Sequence, residues 1–321
     1  MVCPKHLAEK FFHPFLSSAV PTSGINAPQS EDSAIKIAPD EYILMFVTGS
    51  GSQPSQRVID LTTPLALAGI SIFFITTYFS DYIICPSRSQ AAVIAALEAR
   101  GFELTHDYGD ISHSQSANYT HRPPTASSDG SGSQVLAPGT PPPSTLSDLQ
   151  IRTFGMLKKR NVVPAVYRDI SLVSCAGRDG PIQEQQALLL ALIRSLLMKP
   201  KFFSLTIAED EAPSILLEKG LLPLFNSPTQ PGSSGSTQSL LLGTSSEKLI
   251  PIVLDLRSLP TESTGIVCGV AGRLVESTKR ELVGPVEMSY LSTAKAGAVI
   301  VSEADLDRAM VVLEGSSRVS S

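Results

Sequence analysis

The sequence predicts an α+β protein made of tandem βαββαβ units, each an antiparallel sheet with helices on one face. Three observations predict it. Pro64–Leu104 reads as the end of a helix, a strand, a tight turn, a second strand, a second helix and the start of a third strand. The pattern then recurs: Ser71–Glu98 aligns without a gap on Glu287–Glu314. In that alignment Ile75-Thr76-Thr77 meets Leu291-Ser292-Thr293, Ile83-Ile84 meets Val299-Ile300, and Val93–Leu97 meets Ala309–Leu313, which is how an internal repeat shows itself. Finally, 321 residues at 42% hydrophobic can bury a real core but are too many for one small domain.

The elements follow in chain order. Val2-Cys3-Pro4 and the helical KHLAEKFFHPFL read as the last strand and helix of a unit, residues 1–16. The expected reading is a unit that lacks its first half, through truncation of the gene or in a genuine short form. Residues 17–35 are Pro/Ser-rich and polar, a linker. The first complete unit is expected at 36–106. Glu41–Val47 opens it as a strand, and Gly49-Ser50-Gly51-Ser52 leads into a helix, Gln56–Ala68. Such a loop is either a plain turn or a place where helix N–H groups meet a carboxylate or phosphate. Ile72–Tyr78 is rich in β-branched and aromatic residues, as strands are. Ser80-Asp81 makes the turn, and Tyr82–Cys85 the next strand. Arg88–Ala99 sets Ala92, Val93, Ala96 and Leu97 on one helical face, and Gly101 closes that helix.

Residues 107–148 are Ser/Pro-rich and read as a disordered linker. Asn118-Tyr119-Thr120 is a glycosylation sequon with no secretory signal before it. A divergent unit is expected at 149–225. It has a candidate strand Leu149–Leu157, helices Val162–Val173 and Gln183–Met198, and strands Lys201–Ile207 and Ser214–Leu217. Leu188, Leu189, Leu192, Ile193 and Leu196 form an apolar stripe that reads as core. The acids Glu209, Asp210 and Glu211 read as a solvated turn. After a linker at 226–248, the last unit spans 249–315 and a tail 316–321. Its strands are Leu249–Leu256, Met288–Thr293 and Ala298–Val301. Its helices are Thr264–Glu276, capped by Ser263 or Thr264, and Glu303–Glu314, capped by Ser302 with Asp305.

Composition removes several function classes. A net charge of −5 gives no electrostatic case for nucleic acid. Cys3, Cys85, Cys175 and Cys268 are scattered in apolar runs, as buried reduced thiols of a cytoplasmic protein would be. All five histidines precede Arg122 and none has metal-ligand spacing with a cysteine, so no metal or other cofactor is expected. Leu65–Cys85 is long enough to span a membrane, yet Gly69, Thr76, Thr77, Ser80 and Asp81 interrupt it, so no membrane partner is expected. There is no G-x-S-x-G elbow, P-loop or dinucleotide fingerprint, which argues against an enzyme.

The blocks GISIFFITTYFSDYII, KFFSLT and TGIVCGVAGRL followed by YLST resemble the CASTOR family of cytosolic arginine sensors, themselves built of ACT-like (ferredoxin-like) domains. The resemblance implies four ACT units, the second and fourth of which face each other and enclose an amino acid. It carries the ligand site onto Ser71 and Ile72, onto Glu262, Ser263 and Gly265 in the loop before GIV, and onto Thr293, Ala294 and Gly297 at a strand end. In the family, acids in that loop and at that strand end hold the guanidinium. Here Ser263 and Gly297 stand there, with Glu262 one place away. A guanidinium needs a carboxylate to offset its desolvation, so the alternatives to arginine are a smaller or neutral amino acid, or no ligand. The resemblance also implies that Tyr78, Phe79 and Asp81 dock on a protein partner in TOR-regulating machinery; a structural turn and self-association are the alternatives. The expected function is a non-catalytic amino-acid sensor. A scaffold with a decayed ligand site, or a regulatory subunit of an amino-acid biosynthetic enzyme, are the competing readings.

Overall fold

The structure, a computed structural model, describes residues 2–13, 37–38, 40–48, 53–106, 114–118, 145–208, 211–226, 239–260, 262–279 and 283–318. The expected linker 17–35, the glycine loop 49–52, Glu209, Asp210 and Tyr119-Thr120 of the sequon lie outside these residues.

The chain runs α1 (Lys5–Phe11), β1 (Tyr42–Thr48), α2 (Pro54–Leu67), β2 (Phe73–Thr76), β3 (Asp81–Pro86), α3 (Gln90–Glu98), β4 (Glu103–His106) and β5 (Ser114–Asn118). It continues with α4 (Leu146–Lys159), β6 (Pro164–Val166), β7 (Leu172–Gly177), α5 (Ile182–Leu197), β8 (Phe203–Thr206), β9 (Ser214–Glu218) and β10 (Leu241–Leu242). The last unit is β11 (Leu249–Asp255), α6 (Ile266–Thr278), β12 (Met288–Ser292), β13 (Ala296–Ser302) and α7 (Leu306–Arg318).

The strands form one continuous sheet in the order β4-β5-β1-β3-β2-β12-β13-β11-β7-β9-β8. Within it a βαββ core recurs three times, so the fold is α+β as expected. The first complete unit has β1 beside β3 and β3 beside β2, all antiparallel. The last unit repeats this with β11, β13 and β12. The middle unit repeats it with β7, β9 and β8, and a 3₁₀ turn, Lys219–Phe225, stands in for its second helix. Each sheet buries alternate residues against its helices. In β1, Ile43, Met45 and Val47 are buried, and the helices answer with Val58, Leu61 and Leu65 of α2 and Val93 and Leu97 of α3.

Several expectations are corrected. Val2–Pro4 forms no strand, and α1 buries none of its residues. In α3 Ala92 is exposed and Ala96 half-buried. Leu149–Leu157 belongs to helix α4, which buries Leu149, Thr153, Phe154 and Leu157 at helical spacing, and Thr145 caps it by accepting from the Asp148 N–H. Val162–Val173 is two strands rather than a helix. Asn161 has φ 54 and Pro164 interrupts the run. The stretch expected to be a disordered linker at 107–148 contains β5, parallel to β1, and the start of α4. The linker at 226–248 contains β10, with Leu240 and Leu241 buried. The stripe on α5 divides: Leu188 and Leu192 are core, but Leu189, Ile193 and Leu196 are more than half exposed. Neither Ser263 nor Thr264 caps α6, whose N-cap is Gly265. The second helix starts at Leu306, but the Ser302–Asp305 pairing stands: Ser302 Oγ accepts from the Asp305 N–H and donates to its carboxylate.

Candidate functional site

The first complete unit and the last lie edge to edge. Strands β2 and β12 pair antiparallel at Ile75 and Leu291, the residues that the internal alignment made equivalent. An approximate two-fold axis therefore passes between them. Two hydrogen bonds flank it: the Phe74 N–H donates to Ser292 Oγ (2.9 Å), and the Tyr290 N–H donates to Thr76 Oγ1 (3.1 Å). Above the sheet α2 packs on α6, where Thr63 Oγ1 meets Cys268 Sγ at 3.3 Å. Helix α4 closes over α6 at its glycines. A Cβ on Gly269 would stand 2.7 Å from the Thr153 side chain, and one on Gly265 2.6 Å from Leu149.

A cleft of about 60 Å³, open to solvent, lies in this seam. Its floor is the edge of β2 and β12, its wall the start of α6, and its rim the loop Leu256–Ser263 and the turn after β12. Of the eight expected ligand residues, Ser71, Ile72, Ser263, Gly265, Thr293 and Ala294 line it together. Glu262 does not. Its exposed carboxylate turns to Arg88 (2.8 Å) at the surface. Gly297 does not either: the Tyr290 hydroxyl occupies the space a side chain there would need. Tyr290 and Ser292 also line the cleft and were not singled out from sequence, though Ser292 aligns with Thr76 in the repeat.

The electrostatics come from the backbone. Gly265 holds φ 76, a left-handed conformation that suits glycine, and no side chain caps α6. The first N–H groups of a helix have no intrahelical acceptor, and they carry the positive end of the helix dipole. Ile266, Val267 and Cys268 bring that end to the cleft. Ser71 Oγ donates to the Ser263 carbonyl (3.3 Å) across the seam. No charged side chain is among the lining residues. Burial pushes the Cys268 thiol up, against a smaller opposing pull from the Thr63 and Thr62 hydroxyls, so it stays protonated at neutral pH. Burial alone raises the Tyr290 phenol. The walls thus offer hydroxyls, N–H groups and apolar surface, which can hold a small zwitterion but supply no activated nucleophile.

The expected docking turn is placed differently. Tyr78 and Phe79 are partly exposed, 40% and 45%. Asp81 is fully buried, takes a 2.8 Å hydrogen bond from Arg57 Nε and so offers nothing to a partner. The turn docks on the chain's own middle unit. The Tyr78 N–H donates to Ser214 Oγ (2.7 Å), and Ser80 Oγ and Tyr82 Oη both donate to the Glu211 carboxylate. Glu211 is therefore a tie between units rather than a member of a solvated turn.

The fold is a tandem array of ferredoxin-like units with a cleft between two of them. Residues 37–99 match a family described as the ACT domain. No curated protein matches the chain. Among solved structures it is similar to a protein of unknown function from Vibrio cholerae, titled a possible transport protein (15% identity, 53% of this chain, 96% of that chain, TM-score 0.32). It is also similar to aspartate kinase from Synechocystis (13% identity, TM-score 0.29), covering 82% of this chain and 37% of that one. A third likeness is to the regulatory subunit of aspartate kinase from Thermus flavus (11% identity, 49% of this chain, 99% of that chain, TM-score 0.30). No helix among the described residues is long and apolar enough to cross a membrane, and no group of metal-ligating side chains occurs among them.

Proposed function

We propose that this chain is a non-catalytic, cytoplasmic amino-acid-binding regulatory protein, similar to the CASTOR arginine sensors that act on TOR signalling, and that its ligand is a small neutral amino acid. One observation carries the reading: an uncapped helix N-terminus opens into a cleft shared by two units, and six residues chosen from sequence line it. A ligand carboxylate at the start of α6 would satisfy N–H groups that lack helical partners, a favourable site for an anion. The side chain would lie among Ile72, Ala66 and Leu259. Arginine fits worse, because no carboxylate among the lining residues answers a guanidinium.

The mechanism is a population shift. Ligand held by both units favours their packed arrangement, and Thr76, Ser80 and Tyr82 link that seam to the middle unit through Glu211. The exposed Tyr78 and Phe79 are the surface a TOR-pathway partner would read. The test is thermal unfolding against each of the twenty amino acids. A rise with a small neutral amino acid and none with arginine supports the reading; a flat screen on well-folded protein contradicts it. The absence of charge in the cleft favours a second reading, a scaffold whose site has decayed, and a flat screen would select it.

A further inference from the structure

The two-fold relation gives the seam a second side. In the register that pairs Ile75 with Leu291, Ser71 is matched by Glu287. The two residues stand at the same point of their units, each just before the second strand; Glu287 meets the first turn of the other unit's first helix, α2, and Ser71 the loop that leads into α6. They do different things there. Ser71 is short, donates to the Ser263 carbonyl, and leaves the cleft open. Glu287 reaches the first turn of α2, where its Oε2 accepts from Ser55 Oγ (3.0 Å) and from the Ser55 N–H (3.3 Å).

Ser55 is 1% exposed and belongs to a helix whose N-cap, Gln53, makes no side-chain cap bond. Its N–H is one of the donors that a helix cannot satisfy from within. A carboxylate from the other unit satisfies it, at the positive end of the dipole. The second carboxylate oxygen, Oε1, is buried and has no hydrogen-bond partner among the described residues.

We propose that Glu287 is a built-in ligand: its carboxylate fills a second carboxylate-binding site, at the start of α2, that the two-fold repeat creates opposite the open cleft. The protein therefore presents one site to solution, and Glu287 is the residue that makes the two sides unequal. The group this closed site accepts is a monocarboxylate, of the kind every amino acid carries. The inference shares with the proposed function only the premise that a seam receives a carboxylate.

The experiment is carboxylate rescue in the full chain. Glu287→Ala is compared with wild type by thermal unfolding in sodium acetate and in sodium chloride at equal ionic strength. In chloride the variant should melt about 2–4 °C below wild type, the scale expected for a lost cap. In acetate it should recover at least half of that loss, while wild type does not move. Glu287→Gln keeps the space filled, so acetate should leave it unchanged. Equal melting of Glu287→Ala and wild type, or a response to acetate that is absent or shared by all three proteins, would overturn the proposal. Should Glu287→Ala not fold in chloride, recovery of folded protein on purification in acetate supports the proposal, and no recovery overturns it. The amino-acid screen uses wild type and the acetate rescue uses the variant, so either idea can fail without the other.

Discussion

Thr76 and Ser292 are two-fold mates that exchange the same service. Thr76 Oγ1 accepts from the Tyr290 N–H, and Ser292 Oγ accepts from the Phe74 N–H. Each hydroxyl completes the backbone bonding of the other unit where the ladder between β2 and β12 is shortest. Both donors belong to fully buried residues, Tyr290 at 1% and Phe74 at 0% exposed, so water cannot replace the bonds.

Removing either hydroxyl should therefore strand a buried donor. Ser292→Ala is expected to cost ~1–3 kcal/mol, the penalty for an unsatisfied buried polar group. Chemical denaturation of the variant and wild type measures it. A change near zero would mean that the edge-to-edge seam is not held by this pair.

The seam also depends on how closely α4 approaches α6. A methyl at Gly269 would collide with Thr153 at 2.7 Å, and Thr153 is itself buried and donates to the Gly265 carbonyl (3.2 Å). Gly269→Ala should cost about 1–3 kcal/mol as overpacking. Pairing it with Thr153→Ala should return part of the loss, because the two residues touch. Additive losses in a double-mutant cycle would contradict this packing.

Asp81 gives the fold a pH signature. Burial raises its carboxyl above the ordinary 3.8, and the Arg57 guanidinium and the Thr76 hydroxyl pull it back by less. The folded state therefore holds a proton that the unfolded state has already lost, and stability falls as pH rises from 3.8 through the folded value. Asp81→Asn has no proton to lose there. Its stability relative to wild type should improve across that window, in denaturation followed from pH 3 to 7. Parallel pH profiles would show that Asp81 does not titrate as a buried carboxyl.

Much of this was legible in the chain, and the parts that were not have physical reasons. The repeat made Ile75 and Leu291 equivalent, because apolar spacing survives where identity does not; that the two pair across the seam is seen only in the fold. Helix α4 was misread as a strand although its capping pair, Thr145 and Asp148, and its buried positions 149, 153, 154 and 157 carry a helix signal. The last unit borrows β6 from a segment far ahead of it, pairing Val166 with Ile252, and no local pattern announces such a loan. Six cleft residues came from the resemblance rather than from spacing. Glu262 and Gly297 lie outside the cleft because a rim arginine draws one away and a tyrosine hydroxyl occupies the place of the other. Asp81 looked exposed in sequence because an acid after a serine usually marks a turn at the surface; here it is buried beside Arg57, which offsets only part of the cost.

The central claim is that two copies of one small unit clasp an amino acid between them. Ser71 lines the cleft and is partly buried, so a large side chain there is expected to take up its space. Calorimetric titration of wild type and Ser71→Trp, with the amino acid that most raises the melting temperature, tests the claim most directly. The account predicts one site per chain in wild type and none in a folded Ser71→Trp. Unchanged binding to Ser71→Trp would place the ligand elsewhere and contradict it.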